Sequence, residues 1–286
     1  MRLLITGASG RLGRMAADHV LTRIAPEDLI LATRTPEALS AYARRGVEVR
    51  EADFERPQTL KAAFEGASRA LLISTDALGR RGGQHGAAVD AAVGAGVGFV
   101  AYTSFVLAGA ERPSFVDAEH IETEAHIRAS GLEWCFLRNF PYADNELGPM
   151  RDALDRGELV TNTGAGETAF VARADCAAAA AAVLCGEGHA GRTYHVTGPQ
   201  LIDAEARAAI FSEVGGRPVT VTQVDDETLA REISQAGGPP LEVARQIAGG
   251  VGRATRDGYF AVRTDAVEKL TGRPARSLRT VLESAL

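Results

Sequence analysis

The first half of the chain alternates between short apolar runs and longer segments whose apolar residues lie three or four positions apart. Apolar runs without polar alternation are typical of strands that are buried on both faces, whereas the wider spacing is typical of amphipathic helices. The sequence therefore predicts alternating strands and helices. The predicted strands are Leu3–Thr6, Leu29–Thr33, Val47–Glu51, Ala70–Ser74, Phe99–Thr103 and Trp134–Arg138, and the predicted helices are Leu12–Arg23, Pro36–Arg45, Pro57–Phe64, Gln84–Ala95 and Asp117–Ala129.

A glycine-rich turn joins the first predicted strand to the first predicted helix. Gly7, Gly10 and Gly13 recur at every third position there. Between a strand and a helix, such glycines permit a tight turn, let a pyrophosphate approach the backbone and let the helix pack closely. The N–H groups and the dipole of the helix N-terminus also favour a phosphate. The alternative is an ordinary glycine-rich turn without a ligand. The residues predicted to bind here are Gly7, Ser9, Gly10, Arg11, Leu12 and Gly13.

Repeated strand–helix units predict a Rossmann-type α/β fold, a doubly wound parallel sheet with helices on both faces. Ligands of such sheets bind beyond the carboxyl ends of the strands. After Phe140 the pattern becomes irregular, and Gly237–Pro240 predicts a loop or a hinge. We expect a dinucleotide-binding domain over residues 1–140, to which segments near 170–200 return, and a smaller α+β substrate lobe over residues 141–286. The later predicted elements are the helices Pro149–Arg156, Ala174–Leu184, Ala204–Val214 and Glu227–Ala236 and the strands Leu159–Thr163, Thr193–Thr197 and Val219–Val224.

The residue that follows the second predicted strand discriminates between NAD and NADP. An NAD site has Asp or Glu there, which accepts a hydrogen bond from the ribose 2′-hydroxyl. Arg34 occupies that position here, and a guanidinium attracts a 2′-phosphate, so the sequence favours NADP(H), with Arg11 as a second positive charge. Alternatively, either arginine is a solvated surface residue. Asp53 is expected at the adenine amino group and Phe54 beside the ring, unless Asp53 is only a loop or N-cap residue.

Composition and charge limit the classes of function. The 31 basic and 37 acidic residues give a formal net charge of −6, which argues against a nucleic-acid partner. Of the basic residues only two are lysines, a bias typical of a GC-rich bacterial genome. The 3 cysteines lack metal-ligand spacing, so we expect reduced thiols and no metal site. Without a recognisable signal peptide or membrane span, the sequence predicts a cytoplasmic protein, a monomer or a homodimer, with no membrane partner.

Many reductases with this type of sheet use a Tyr-x-x-x-Lys pair, in which the lysine lowers the pKa of the tyrosine. None of the 5 tyrosines has a lysine four positions later. The protein therefore either performs no chemistry or acts on a substrate that needs little acid catalysis. A quinone is such a substrate, because hydride addition gives a fairly stable hydroquinone anion. Orientation by the pocket, with the chemistry supplied by a cofactor, can then suffice.

Short motifs occur in a recognisable order along essentially the whole chain. They are Thr6–Gly13, ATRTP around Arg34, Glu51–Phe54, Leu71–Thr75, Gln84–His85, Tyr102–Ser104, Glu119–Glu124, Leu137–Asn145 and Gly272–Leu278. With these motifs the chain resembles the NmrA-like group of atypical short-chain dehydrogenases/reductases, which contains type 2 NAD(P)H:quinone oxidoreductases and triphenylmethane reductase. The resemblance implies a Rossmann domain with a small C-terminal lobe, NADPH binding without a flavin, and two-electron reduction of quinones or related conjugated acceptors.

The resemblance also implies roles for single residues. His120 stands where related reductases have a catalytic lysine, and is expected to hydrogen-bond the cofactor or relay a proton, unless it is only packed or solvated. Phe140 and Tyr142 are expected to form an aromatic wall for a planar acceptor, unless they are core residues. Asn139, Tyr142 and Asn145 are expected to contact an acceptor oxygen. The strand ends expected near the cofactor are Ser74, Thr75, Thr103 and Ser104.

The identity of the acceptor stays open at this stage. The segment Phe105–Pro113, rich in small and apolar residues, departs from the related pattern and is expected to shape the acceptor site. The leading hypothesis is an NADPH-dependent, flavin-independent reductase of a quinone or a similar conjugated, electron-poor acceptor. The alternatives are a non-catalytic NADP(H)-sensing regulator and a reductase of a carbonyl or imine in secondary metabolism. The aromatic and polar stretch Phe140–Asn145 favours an enzyme.

Overall fold

The computed structural model describes residues 1–106 and 115–286. The strands are β1 (Leu3–Ile5), β2 (Leu29–Thr33), β3 (Glu48–Glu51), β4 (Arg69–Ile73), β5 (Phe99–Phe105), β6 (Glu133–Asn139), β7 (Glu158–Thr161), β8 (Arg192–Val196) and β9 (Thr220–Gln223). The helices are α1 (Arg11–Val20), α2 (Ser40–Ala43), α3 (Gln58–Phe64), α4 (Arg81–Gly94), α5 (Phe115–Ala129), α6 (Leu147–Arg156), α7 (Arg173–Cys185), α8 (Ala204–Gly215), α9 (Asp226–Gln235), α10 (Leu241–Arg256), α11 (Ala266–Thr271) and α12 (Leu278–Glu283).

The first of two compact units consists of Met1–Asn139, Ala174–Val196 and Ala266–Arg273. Its seven strands form one parallel sheet in the order β3-β2-β1-β4-β5-β6-β8. The strand order reverses between β1 and β4, and doubly wound sheets bind ligands beside that switch point. The predicted Rossmann-type parallel sheet is therefore confirmed.

The sheet buries both of its faces. Leu4, Ile30 and Val100 share a buried cluster with residues of α3, α4 and α5. Because side chains alternate along a strand, Leu3 and Ile5, which are also fully buried, point to the opposite face. Burial on both faces explains why these strands are apolar without alternation.

The alanine-rich run of residues 176–185 lies in α7, where residues 177–184 are at most 5 % exposed. Arg69 holds the C-terminal end of this helix, since its Nη2 donates to the carbonyl oxygens of Val183 at 3.0 Å and Gly186 at 2.8 Å. The run is therefore a packed helix, as predicted. Within the described ranges, no helix is long and apolar enough to cross a membrane.

The second unit consists of Phe140–Arg173, Thr197–Asp265 and Pro274–Leu286. β7 and β9 form a two-stranded parallel sheet. Met150, Phe211 and Leu278, from α6, α8 and α12, share the main core of the unit. α9 and α10 enclose a smaller apolar cluster of their own. The unit therefore has the predicted α+β character.

Four helical segments differ from the prediction, because the helix over Pro36–Arg45 was predicted wrongly and α10, α11 and α12 were not predicted. The single helix predicted over Pro36–Arg45 is wrong, because Pro36–Leu39 is a 3-10 helix and α2 has only 4 residues. Thr35 precedes it without a side-chain capping hydrogen bond. In contrast, α10 was not predicted, because its Gly249, Gly250 and Gly252 each disfavour a helix by about 1 kcal/mol. Packing of α10 against α9 overrides that local preference.

Candidate functional site

The glycine-rich turn has the geometry of a phosphate-binding loop. Gly7 has a φ of +60°, a conformation that favours glycine. A Cβ at Gly13 would lie 2.5 Å from the carbonyl oxygen of Gly7 and 2.7 Å from Cα of Ala8. Gly10 is the N-cap of α1, with no side-chain cap and no acidic residue in the first turn. The N–H groups of that turn therefore remain available to an anionic group.

A cavity of about 600 Å³ lies beside this turn, where β1, β2, β3 and β4 end. This volume is within the usual range for a small-molecule site. The predicted cofactor residues that line it are Gly7, Ser9, Gly10, Arg34, Asp53, Phe54, Ser74 and Thr75. The lining residues that were not predicted to bind the cofactor are Thr33, Ala52, Glu55, Ile73, Asp76, Ala77, Arg80 and Gln84.

The other predicted cofactor residues do not line this cavity. Arg11 is exposed at the start of α1, whereas Leu12 and Gly13 are buried and pack that helix. Thr103 is buried, and its Oγ1 accepts a hydrogen bond of 2.9 Å from the backbone N–H of Ser74. Thr103 therefore supports the end of β4 from the neighbouring strand.

Arg34 and Asp53 differ in the number of ion pairs and hydrogen bonds that their side chains form with other residues. Arg34 is exposed, and within the described part of the chain its guanidinium forms no ion pair, so it is free to bind an anion. The carboxylate of Asp53 accepts from the backbone N–H of Glu55 and from Nε of Arg56, both at 3.0 Å. Both hydrogen bonds lower the pKa of Asp53, and the bond from Arg56 has the larger effect. Asp53 therefore holds its own loop in place while it lines the cavity.

Glu55 connects the loops that follow β3 and β4. Its Oε1 lies 2.9 Å from Nη1 of Arg80 and also accepts a hydrogen bond from Nε2 of Gln84. Oε1 of Gln84 in turn accepts from Oγ1 of Thr75 at 2.7 Å. No sequence pattern pointed to Glu55 or Arg80, and Gln84 was noted only within the motif Gln84–His85.

His120 lies in a buried hydrogen-bonded cluster of the first unit. Nδ1 of His120 is 2.7 Å from the hydroxyl of Tyr102, which is 3.3 Å from Nδ1 of His85. Nε2 of His85 accepts from the backbone N–H of Thr75 at 3.0 Å. Nε2 of His120 is 3.2 Å from Nη1 of Arg81. The cluster therefore joins α4, β5 and α5 to Thr75 of the cavity wall.

Both histidine rings of this cluster are neutral near pH 7. Burial, followed by the charge of Arg81, lowers the pKa of each ring to about 3. A backbone N–H and a guanidinium can only donate, so Nε2 of each ring accepts and the proton lies on Nδ1. In His120 this N–H points towards the Tyr102 hydroxyl. Burial also raises the pKa of Tyr102.

Ser104 belongs to a different network. Its Oγ donates to Glu124 at 2.7 Å, and Glu124 also accepts from Nε and Nη2 of Arg138 at 2.9 and 2.7 Å. The Glu124 side chain is only 1 % exposed, so the arginine compensates a buried charge. The hydroxyl proton of Ser104 is thus used in the hydrogen bond to Glu124, so that Oγ can only accept a hydrogen bond from a ligand.

The predicted acceptor residues differ strongly in exposure. Phe140 is 1 % exposed and Asn139 is 4 % exposed, so Phe140 offers almost no ring surface to an acceptor. In the second unit Tyr142 is partly exposed and Asn145 is exposed, and both contact Arg173. The Phe105–Pro113 loop expected to shape the acceptor site falls mostly outside the described residues, at 107–114.

Comparisons with known proteins agree with a dinucleotide site at the glycine-rich turn. A model of an NAD(P)H-binding family matches residues 7–185. Quinone oxidoreductase 2 of Escherichia coli is 33 % identical over 96 % of both chains. The crystal structure of an E. coli NADPH-dependent quinone oxidoreductase with NADPH superposes with a TM-score of 0.93 at 32 % identity, covering 99 % of both chains. Triphenylmethane reductase of Citrobacter sp. with NADP(H) gives a TM-score of 0.90 at 32 % identity over 100 % of both chains.

Proposed function

The chain belongs to the NAD(P)H-binding family, and from this premise we propose that it reduces a quinone or a similar conjugated, electron-poor acceptor. It is an oxidoreductase that uses NADPH. The observation that carries the choice of acceptor is the similarity to a quinone oxidoreductase over 96 % of both chains. The exposed Arg34 at the end of β2 supports NADPH over NADH.

The first unit is proposed to bind the cofactor. We assign the pyrophosphate to the N–H groups in the first turn of α1, and the 2′-phosphate to Arg34. Phe54 and Asp53 are assigned to the adenine. When bound, NADPH supplies a hydride from its nicotinamide ring.

The acceptor needs orientation and one proton. Addition of a hydride to a quinone gives a hydroquinone anion, which then takes a proton to become the hydroquinone. His120 is unsuited to deliver that proton as an imidazolium, because its lowered pKa keeps the ring neutral at pH 7. We assign His120 to hydrogen bonding within its cluster, and the proton to the partly exposed Tyr142 or to water. Asn145 is assigned to an acceptor oxygen.

The first prediction is that the purified protein oxidises NADPH in the presence of a quinone and without added flavin. The measurement follows the reduced-nicotinamide absorbance with a panel of benzo- and naphthoquinones, with NADH run in parallel. We expect rapid oxidation of NADPH and slow oxidation of NADH, because only NADPH carries the 2′-phosphate that Arg34 attracts.

A fluorescence titration with NADPH is the control for this assay. Binding of NADPH without oxidation by any acceptor of the panel would reject the proposed quinone reduction and favour nucleotide sensing. Equal rates with NADPH and NADH would reject the role of Arg34 while leaving the reductase intact.

A further inference from the structure

Three side chains of the second unit surround the buried guanidinium of Arg173, and we name these four residues the Arg173 cluster: Tyr142, Asp144, Asn145 and Arg173. Arg173 is 9 % exposed, whereas Asn145 is exposed and Tyr142 partly so. We infer that Arg173 is a positioning residue that fixes Tyr142 and Asn145 for an acceptor bearing a carbonyl-type oxygen. This inference rests on the proposed function and deepens it.

The backbone sets the register of the cluster. The backbone N–H of Val171 donates to the carbonyl oxygen of Pro141 at 3.0 Å, and the N–H of Ala143 donates to the carbonyl oxygen of Val171 at 2.8 Å. These two bonds pair the segment around Tyr142 with the residues just before α7. Arg173, the first residue of α7, is thereby brought beside the 3-10 helix Ala143–Glu146.

Asp144 holds Arg173 at two points. Its Oδ2 accepts from the backbone N–H of Arg173 at 2.7 Å, and its Oδ1 lies 3.2 Å from Nη1 of the same residue. The first bond satisfies an N–H at the start of α7, where a carboxylate is also favoured by the helix dipole. The second compensates the buried guanidinium charge. The orientation of Arg173 is thus fixed independently of any ligand.

Arg173 then fixes the amide of Asn145. Nη2 of Arg173 donates to Oδ1 of Asn145 at 2.8 Å. A guanidinium has no acceptor, so the contacting atom of the amide must be its oxygen, and the amide cannot be flipped. The two N–H donors of Asn145 therefore lie on the far side of the amide from Arg173. An exposed pair of N–H donors suits a quinone oxygen and the oxyanion that forms there.

Arg173 also orients the aromatic ring of Tyr142. Its guanidinium carbon lies 4.9 Å from the centroid of that ring, within the range of a cation–π contact. One ring face is thus covered by the arginine, and the contact restrains the direction of the ring. An alternative role for Arg173 is a purely structural one, in which its charge serves only to balance Asp144.

The test compares Arg173→Gln, which removes the charge and the fork of donors, with Arg173→Lys, which keeps the charge but not the planar fork. Steady-state NADPH oxidation gives KM for 1,4-naphthoquinone and KM for NADPH separately. We expect both variants to raise KM for the quinone about tenfold, the size of one lost hydrogen bond, with KM for NADPH unchanged. Arg256→Gln is the matched control, since Arg256 pairs with Asp226 elsewhere in the second unit.

The outcomes separate the inference from the proposed function. A KM for the quinone in Arg173→Lys that equals the wild-type value overturns the inference, because the positive charge alone would then be sufficient and the planar guanidinium would not be needed. An effect of Arg173→Gln no larger than that of Arg256→Gln overturns it as well. If Arg173→Gln does not fold, Arg173→Lys alone decides. A wild-type protein that oxidises no NADPH with any quinone rejects the proposed function itself and, with it, the role of Arg173 at an acceptor.

Discussion

At the scale of single residues, the position of a charge relative to its neighbours determines what it can bind. Arg34 follows β2 at the wall of the cavity and has no ion-pair partner among the described residues. Arg56, by contrast, is engaged by Glu51 and Asp53. Both are arginines of the same region, but of the two only Arg34 forms no ion pair among the described residues, which is the basis for assigning the 2′-phosphate to it.

Arg34→Gln is expected to weaken the use of NADPH and to leave the use of NADH unchanged. Loss of a charge-assisted hydrogen bond costs about 1.5–3 kcal/mol, so KM for NADPH rises roughly 10- to 100-fold. Steady-state kinetics with each cofactor measures the effect. Arg44→Gln is the matched control, because Arg44 is exposed and has no ion pair among the described residues. Equal changes in both cofactors for Arg34→Gln would contradict the assignment.

At the scale of secondary-structure elements, the turn between β1 and α1 depends on close backbone packing. Gly13 lies in α1 but faces the turn, where its missing Cβ leaves room for the carbonyl group of Gly7. The displaced atoms would be backbone atoms, which cannot move aside as a flexible side chain does. Because the same backbone carries the N–H groups to which we assign the pyrophosphate, we expect stability and cofactor binding to be coupled at this position.

Gly13→Ala is expected to lower the free energy of unfolding by about 1–3 kcal/mol, the usual cost of overpacking, and to weaken NADPH binding. Urea denaturation and a fluorescence titration measure the two effects. Gly94→Ala, at the end of α4, is the control, since an added Cβ there meets nothing within 4 Å. That control should be neutral or stabilise by up to about 1 kcal/mol. If the two variants behave alike, the close packing at Gly13 is not required.

At the scale of the whole molecule, the first unit is assembled from distant parts of the chain. Ala174–Val196 supplies α7 and β8, and Ala266–Arg273 supplies α11. Its interior also encloses a polar cluster of groups that are far apart in sequence. His85 and His120 are 0 % and 4 % exposed, so protonation of either ring requires a buried charge. The stability of the protein is therefore linked to pH through these two residues.

The free energy of unfolding is expected to fall as the pH decreases below 6.5. The pKa of His85 and His120 is about 3 in the folded protein, against an ordinary 6.5. Between these two pKa values the unfolded chain binds protons that the folded protein does not. Each ring therefore lowers the free energy of unfolding by about 2 kcal/mol when the pH falls from 7 to 5. Above pH 6.5 this loss is absent. Urea denaturation measures the free energy of unfolding at pH 7 and at pH 5. The decrease between the two pH values should be about 2 kcal/mol smaller in His120→Gln than in the wild type. An equal decrease in both proteins would contradict a neutral, buried His120.

The strands and most of the helices could be predicted from the sequence, because they follow from residues close together in the chain. The glycines of the turn, the apolar runs and Arg34 after β2 are local features, and they identified the fold and the cofactor. α10 was missed because its glycines oppose a helix locally, and its stability comes from packing against α9. The helix predicted over Pro36–Arg45 is instead a 3-10 helix over Pro36–Leu39 followed by the short α2, with Leu39 and Tyr42 buried.

The sequence by itself therefore determined the strands, most of the helices, the glycine-rich turn between β1 and α1, and NADP(H) as the cofactor. Only the tertiary structure decided which side chains meet. It committed the Ser104 hydroxyl to Glu124, buried Phe140, and enclosed His120 between Tyr102 and Arg81. The physical reason is that local patterns depend on neighbours within about one or two turns, whereas burial, hydrogen-bond partners and pKa depend on residues that only the sheet register and the packing of helices bring together.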